Sequence, residues 1–431
     1  MPCVPTRVPS SPAFYAAILV FLSTPAAATD DWPQYNGLTH DRSSAERVEL
    51  RSWPEGGPPV AWTAETKLGF SSFSIAQGMA FTLVGRDVDG VGHEVCVALD
   101  TRTGEELWAT ALSKSGYDSG GDRGAEGNSG GDGPRSTPSH AGEQVFVFDA
   151  KLVLSCLDDE TGELLWDRDI VEQFGGRNIT WQSAASPLID GGRVFLAGGG
   201  AGQSLMAIDT ATGELLWKVL DERMTHATPI VATIHGVRQV IFFVQSGLVS
   251  VDPESGSELW RAEFPHRTST AASPVVHEDI VYCSAGYGVG AGAFRISKKD
   301  DGFQATGLWR ERNGLMNHWS TPVCKDGFLY GMFGFKDYGD GPLQCVDMRT
   351  GEVRWSKDGF GPGNCILVGS DLVALGDAGQ VVLVEAAPEE YRELARAQVL
   401  DGKCWSTPVF SAGRLYVRST SQAACLDLTV D

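Results

Sequence analysis

Short apolar stretches recur along the chain, alternating at a period of two and broken by Gly, Asp and Ser, as in SPLIDGGRVFLAG (186–198) and TPVFSAGRLYVRS (407–419). This pattern predicts half-buried strands joined by tight turns rather than helices. Five segments align without gaps: ALDTRTGEELW ending at Trp108, CLDDETGELLW at Trp166, AIDTATGELLW at Trp217, SVDPESGSELW at Trp260 and CVDMRTGEVRW at Trp355. A sixth, degenerate copy ends at Trp309. Successive tryptophans lie 58, 51, 43, 49 and 46 residues apart, too irregular for a tightly superposing solenoid but suited to propeller blades with variable loops.

Within the repeat, an apolar strand ends at Asp, whose carboxylate can accept turn N–H groups. Gly supplies a positive φ, and the following strand is expected to carry Leu and Trp inward. Upstream lies a second hairpin opened by Ser/Thr-Pro, at Thr137-Pro138, Ser186-Pro187, Thr228-Pro229, Ser273-Pro274, Thr321-Pro322 and Thr407-Pro408. Proline is tolerated at the start of a strand. Two hairpins make a four-stranded blade. A copy from Phe73 to Trp108, the six Ser/Thr-Pro copies and a divergent one from Cys365 to Leu394 bring the count to eight. The expected fold is therefore all-β, an eight-bladed β-propeller of four-stranded antiparallel blades with tryptophan-docking motifs. The last blade stops at CLDL without a fourth strand, and PPVAW (58–62) is a strand without a blade, so residues 59–64 are expected to pair with 424–428. APEEYRELARAQ (387–398) reads as a short helical excursion, and GYGVGAG (286–292) as a blade turn rather than a dinucleotide loop, because no helix follows it.

Composition agrees with this reading. The chain's 431 residues suggest several domains by length alone, but the repeat makes them one, and the 52 glycines are largely assigned to its turns. A formal charge of −21 argues against a nucleic-acid groove or an anionic-membrane surface. Residues 1–28 combine Arg7, an apolar run from Ala13 to Leu22 and Ala26-Ala27-Ala28, the pattern of a cleaved signal peptide. The expected division is signal peptide 1–28, extended segment 29–57 and propeller 58–431, with a soluble product in the periplasm or secreted. No other stretch is long and apolar enough to span a bilayer, and Cys3 precedes the apolar run, so no lipid anchor is expected. Cys156, Cys345 and Cys425 occupy equivalent repeat positions, too far apart for bridges, and read as buried small apolar residues.

The A-x-D-x-x-T-G-x-x-x-W motif resembles the tryptophan-docking motif of eight-bladed quinoprotein propellers, the superfamily of pyrroloquinoline quinone (PQQ) dehydrogenases and the BamB assembly propeller. DWPQYNGLTHDRSS (31–44) and the stretches GVRQVIFFVQSGLVSVDPESGSELWR and ELARAQVLDGKCWSTPVFSAGRLYVRS look like PQQ-like repeat proteins of planctomycete-type bacteria. The resemblance implies the fold; function has to be argued from the site.

In such a propeller the segments between a motif tryptophan and the next Ser/Thr-Pro share one face with the middle turns of the blades. Three residues before the prolines stand Arg135, Ala184, His226, Ala271, Trp319 and Trp405, with Trp181 three positions further back and Asn317 and His318 before Trp319. Arg135, Trp181, His226, Trp319 and Trp405 are the candidate channel-mouth residues. Two readings stay open: they hold a planar or sugar-like ligand, or they cap the inner apolar layer. The superfamily's dehydrogenases imply PQQ with calcium, clamped beneath adjacent cysteines, but this chain has no Cys-Cys pair and no C-x-x-C-H haem site. The favoured reading is a monomeric, non-catalytic binding or assembly scaffold for an envelope protein partner or small ligand. The alternative is a PQQ-dependent alcohol or sugar dehydrogenase. The loop 115–135, with Asp118, Asp122, Glu126, Asn128 and Asp132 among glycines, is either a calcium loop or a surface loop; its spacing matches no EF-hand.

Overall fold

Among the described residues, paired hairpins build eight four-stranded antiparallel sheets, one of which gains a fifth strand, Ser43–Ser44, in parallel. The computed structural model describes residues 30–115, 133–179, 181–267, 270–299, 302–334 and 341–430. The leader expected at 1–28 and residues 116–132 of the acidic glycine loop lie outside them. Blade 1 comprises Ser74–Ala76, Met79–Val88, Val91–Asp100 and Glu106–Lys114 from the inside outwards, and the later blades repeat this order. In blade 8 the strands Val409–Ser411, Arg414–Arg418 and Gln422–Asp427 are completed by Val60–Glu65, antiparallel with Val60 opposite Leu426 and Thr63 opposite Ala424. Joining the two ends in one sheet leaves no gap in the ring through which a neighbouring chain could pair.

The repeated motif is a docking device between blades. Trp108 packs over Gly162 of the next blade, where φ is +72° and an added Cβ would lie 2.6 Å from the indole. Its indole N–H donates to Asp159 O at 2.8 Å. The same donation runs from Trp62 to Thr101 O, Trp217 to Pro253 O, Trp309 to Met348 O and Trp355 to Ala387 O. Trp260 instead donates to Gln239 Oε1 of its own blade. Below each turn, the Asp carboxylate accepts the expected backbone N–H groups, as Asp209 does from Ala211 and Thr212.

Three of the leucines that precede a motif tryptophan do not face inward. A register shift places Trp108 opposite Ala98 and Glu106 opposite Leu99, leaving Leu107 as an unpaired bulge residue; Leu165 and Leu216 are bulged in the same way. The bulge turns the tryptophan between the blades and the leucine to solvent, so Leu107, Leu165 and Leu216 are 52%, 49% and 45% exposed. Nor is 387–398 helical. Glu393–Gln398 is the outer strand of blade 7, paired with Gln380–Glu385, and Tyr391 before it packs edge-on against Trp355. The pattern there is that of an outer strand with one solvated face, which its charged residues mimic as a helix. A five-residue helix does occur at Ile170–Phe174, capped by Asp169.

The Ser/Thr of each Ser/Thr-Pro pair has a role beyond opening the strand. Around the axis, Ser72 N donates to Thr137 Oγ1, Thr137 N to Ser186 Oγ, Ser186 N to Thr228 Oγ1, Ser273 N to Thr321 Oγ1 and Thr407 N to Ser72 Oγ, all between 2.7 and 3.0 Å. The inner strands end here with N–H groups that have no ladder partner, and the neighbouring hydroxyl satisfies them.

Candidate functional site

Because each chain passes from an outer strand to the next inner strand on one face, the residues three before each proline converge there. Two positions belonging to this ring lack the proline signal: Phe70, three before Phe73, and Pro362, three before Cys365. The structure brings the five candidates into one arc of rings. Phe70 stacks on Trp405 (centroids 5.0 Å apart, 24° between planes), and Trp405 stacks on Trp319 (4.4 Å, 27°). Beyond them, His318 meets Trp319 and Tyr287 edge-on, Tyr287 lies parallel to Trp181 at 6.4 Å, and Trp181 reaches His226 at 6.5 Å. Arg135 joins the arc by donating to Trp181 O.

Polar contacts hold the rings. Trp319 Nε1 donates to Pro362 O at 2.8 Å, Trp405 Nε1 donates to Asp377, and Lys403 lies 4.5 Å over the Trp405 ring. Trp181 and Gln182 both adopt left-handed backbone, with φ of 67° and 61°. Each such residue costs roughly 1–2 kcal/mol, a cost typical of residues turned towards a site. Burial, with His266 adding to it, pushes the His318 pKa down to about 3, so its imidazole is neutral at ordinary pH. Burial raises the Asp377 carboxyl, opposed by the Trp405 hydrogen bond and by Lys403. Tyr287, 45% exposed, sits in the middle turn 286–289 of blade 5. It joins the arc from a middle turn that no proline marks.

The described residues do not form a quinone–metal centre. Phe70 and Trp319 both stack on Trp405, so a planar cofactor slotted between the tryptophans would have to part rings centred 4.4 Å from each other. Among the described residues no three of His, Cys, Asp and Glu converge as metal ligands. All eight described cysteines are free, and burial raises their thiol pKa values, as for Cys365 at about 12. They behave as small apolar residues rather than nucleophiles. Asp118, Asp122, Glu126, Asn128 and Asp132 lie outside the described residues.

Below the arc, residues 31–44 occupy the channel itself. Trp32 bridges Ile75, Pro33 O accepts from His140 N, and the Gln34 side chain exchanges two hydrogen bonds with the Ile189 backbone. Asn36 Nδ2 donates to Ser273 Oγ, and Ser43–Ser44 pairs in parallel with Leu367 and Val368. Arg42, 1% exposed, crosses to Thr321 O (2.7 Å), Asn364 Oδ1 (3.3 Å) and Thr407 Oγ1, tying together blades 6, 7 and 8. Thus the N-terminal segment binds the inner strands of several blades, while the rings gather into a separate arc.

A ring of tryptophan-docked four-stranded blades defines the protein as an eight-bladed propeller of the PQQ-like repeat class. The profile of the family described as outer membrane protein assembly factor BamB matches residues 92–357, more than half of the chain, and the chain belongs to that family. It is 24% identical to the BamB of Yersinia pestis over 262 residues, 58% of this chain and 60% of that protein. It is also 24% identical to the BamB of Moranella endobia over 266 residues, 58% and 64% of the two chains. The chain thus matches less than two thirds of the length of these relatives. Among solved structures, the quinohemoprotein alcohol dehydrogenase of Comamonas testosteroni superposes with a TM-score of 0.64 at 13% identity, over 94% of this chain and 82% of that one. A quinohemoprotein alcohol dehydrogenase of Pseudomonas putida gives 0.59 at 12%, over 93% and 81%. At such identity the likeness is one of fold. No helix among the described residues is long and apolar enough to cross a membrane.

Proposed function

We propose that this protein is an exported scaffold of the cell envelope that docks a protein partner against its aromatic mouth, with an assembly role of the kind its BamB relatives are named for. On this reading residues 1–28 are the leader, residues 29–57 an N-terminal extended segment and residues 58–431 the propeller, which acts as a monomer in the periplasm or outside the cell. The observation that carries the proposal is the arc from Phe70 through Trp405, Trp319, His318 and Tyr287 to Trp181 and His226. Rings gathered from separate blades on one face supply the rigid aromatic anchors that dominate binding interfaces. Arg135 and Lys403 add cationic groups beside the rings, in a chain that is acidic overall. The test is photocrosslinking in cells from a probe placed at Tyr287, together with fractionation. Crosslinks to an envelope assembly component that disappear in Trp319→Ala support the proposal. Retention in the cytoplasm refutes it, as does saturable oxidation of an alcohol or sugar by the purified protein with PQQ and calcium.

A further inference from the structure

Closing the ring still leaves each blade with an outer strand at its rim, and the free edge of such a strand presents backbone N–H and C=O groups to any extended chain. Folded proteins blunt these edges with charged side chains. Most blades here do so. An exposed charged residue follows the docking tryptophan in blades 2 to 5, at Asp167, Lys218, Arg261 and Arg310, and Arg396 holds the matching place in blade 7. In blade 6 the exposed Arg354 and Lys357 stand on either side of Trp355. Blades 8 and 1 depart from this pattern: no residue is charged from Val60 to Ala64, nor between Glu106 and Lys114. The two blades are neighbours, since Trp62 of blade 8 donates to Thr101 O of blade 1. Blade 1 offers the longer edge, nine residues against six, without proline, and among the described residues no strand lies beyond it.

The surroundings of this edge are apolar. Ala109 and Ala111 are exposed along it, as is the bulged Leu107. Two residues before the tryptophans of the neighbouring blades, Val60 and Leu164 are 54% and 53% exposed. Occupants differ in what they could meet there. A helix satisfies its own backbone groups and would leave those of the edge unmet. An anionic membrane surface is opposed by the chain's charge of −21, and a second copy would bring the same charge edge to edge. An extended protein segment meets the backbone groups and the small side chains together. The ends of the edge add a polarity. Glu105 and Lys114 are both exposed and neither forms an ion pair among the described residues, whereas Glu106 is already held by Arg86. An antiparallel partner, the better-bonded orientation, therefore carries an acidic residue near its start, facing Lys114, and a basic one near its end, facing Glu105, with uncharged residues between.

We propose that the outer strand Glu106–Lys114 of blade 1 is a docking edge, which an extended segment of a partner protein joins as a further, antiparallel strand, independently of the aromatic arc. The test uses the full chain and a fluorescent peptide of alternating threonine and valine, with aspartate at its start and lysine at its end. Anisotropy should show saturable binding, weakened about tenfold or more by Ala109→Lys. That variant copies the exposed lysine that blade 3 already carries at the matching place, Lys218, so the fold tolerates it. Thr63→Lys on blade 8 and Trp319→Ala in the arc should leave the affinity unchanged. Methylating alternate peptide nitrogens gives two isomers, and because an added strand bonds through one edge only, one isomer should lose binding and the other keep it. The proposal is overturned by no saturable change up to about 1 mM peptide, or by loss through Thr63→Lys or Trp319→Ala instead of Ala109→Lys. It is equally overturned if both methylated isomers behave alike, which would mean apolar contact without strand pairing. A dimer in sedimentation velocity that Ala109→Lys dissociates would make a second copy the occupant and refute the partner segment.

Discussion

Replacing Gly162 with alanine tests whether the motif glycine serves its turn or the tryptophan of the neighbouring blade. At φ +72° an alanine pays about 1–2 kcal/mol for left-handed backbone wherever it stands. At Gly162 the new Cβ would also lie 2.6 Å from Trp108 Cε3 and 2.7 Å from Thr110 Oγ1. The indole is 9% exposed and cannot withdraw without stretching its 2.8 Å hydrogen bond to Asp159 O. Overpacking of this kind costs about 1–3 kcal/mol and the lost hydrogen bond about 1 kcal/mol. Gly142 supplies the control, since its φ is +66° and a Cβ added there would meet nothing within 4 Å. Gly142→Ala should therefore lose only the backbone penalty, and Gly162→Ala roughly 2–4 kcal/mol more. Urea unfolding followed by tryptophan fluorescence and far-ultraviolet circular dichroism measures the difference. If the two variants unfold within about 0.5 kcal/mol of each other, a gap the size of ordinary surface substitutions, the glycine serves the turn alone and the docking argument fails.

Arg418 is fully buried and donates to Thr82 Oγ1 and to the carbonyls of Leu83, Thr66, Leu68 and Gly69, while burial lowers its pKa to about 9. Arg418→Met orphans these acceptors and should destabilise by about 3–5 kcal/mol in the same urea assay; a loss below about 1 kcal/mol would show that water replaces the guanidinium. Hydrogen bonds hold the turn carboxylates of Asp100, Asp158, Asp209 and Asp427 below their ordinary range, although burial raises Asp100 in part. A carboxylate held low stabilises the fold once ionised, so this contribution is complete above the ordinary carboxylate range and is lost as pH falls through the lowered values. Melting temperatures should stay level from pH 7 to about 5 and fall below about 4, and Asp209→Asn should show a shallower acid fall than the parent; equal slopes would refute the assignment. With eight free cysteines between residues 30 and 430, dithiothreitol should leave the melting temperature unchanged, and thiol titration in denaturant should find at least eight per chain.

What was legible in the sequence is what is held by neighbours in the chain or by repetition. The Asp turn is local: Asp209 accepts from residues two and three ahead of it. The docking tryptophan is long-range, yet its partner glycine recurs in every motif, so repetition exposes it. The arc of rings was partly legible for the same reason, since a fixed offset from proline picks out Arg135, His226, Trp319 and Trp405, and Phe70 and Pro362 are missed only where Phe73 and Cys365 replace the proline. The bulge was hidden because a leucine beside a tryptophan reads as core unless the register of the partner strand is known. The channel segment was hidden most completely. Gln34 meets Ile189, Asn36 meets Ser273 and Arg42 meets Thr407, separations of 155, 237 and 365 residues, and none of these contacts repeats. A single arginine at position 42 therefore carries no signal until the ring has closed around it. Once it has, the same residue links blades 6, 7 and 8. The repeats determine the frame, and the residues that occur once are the ones that can distinguish this propeller's chemistry from that of others built on the same frame.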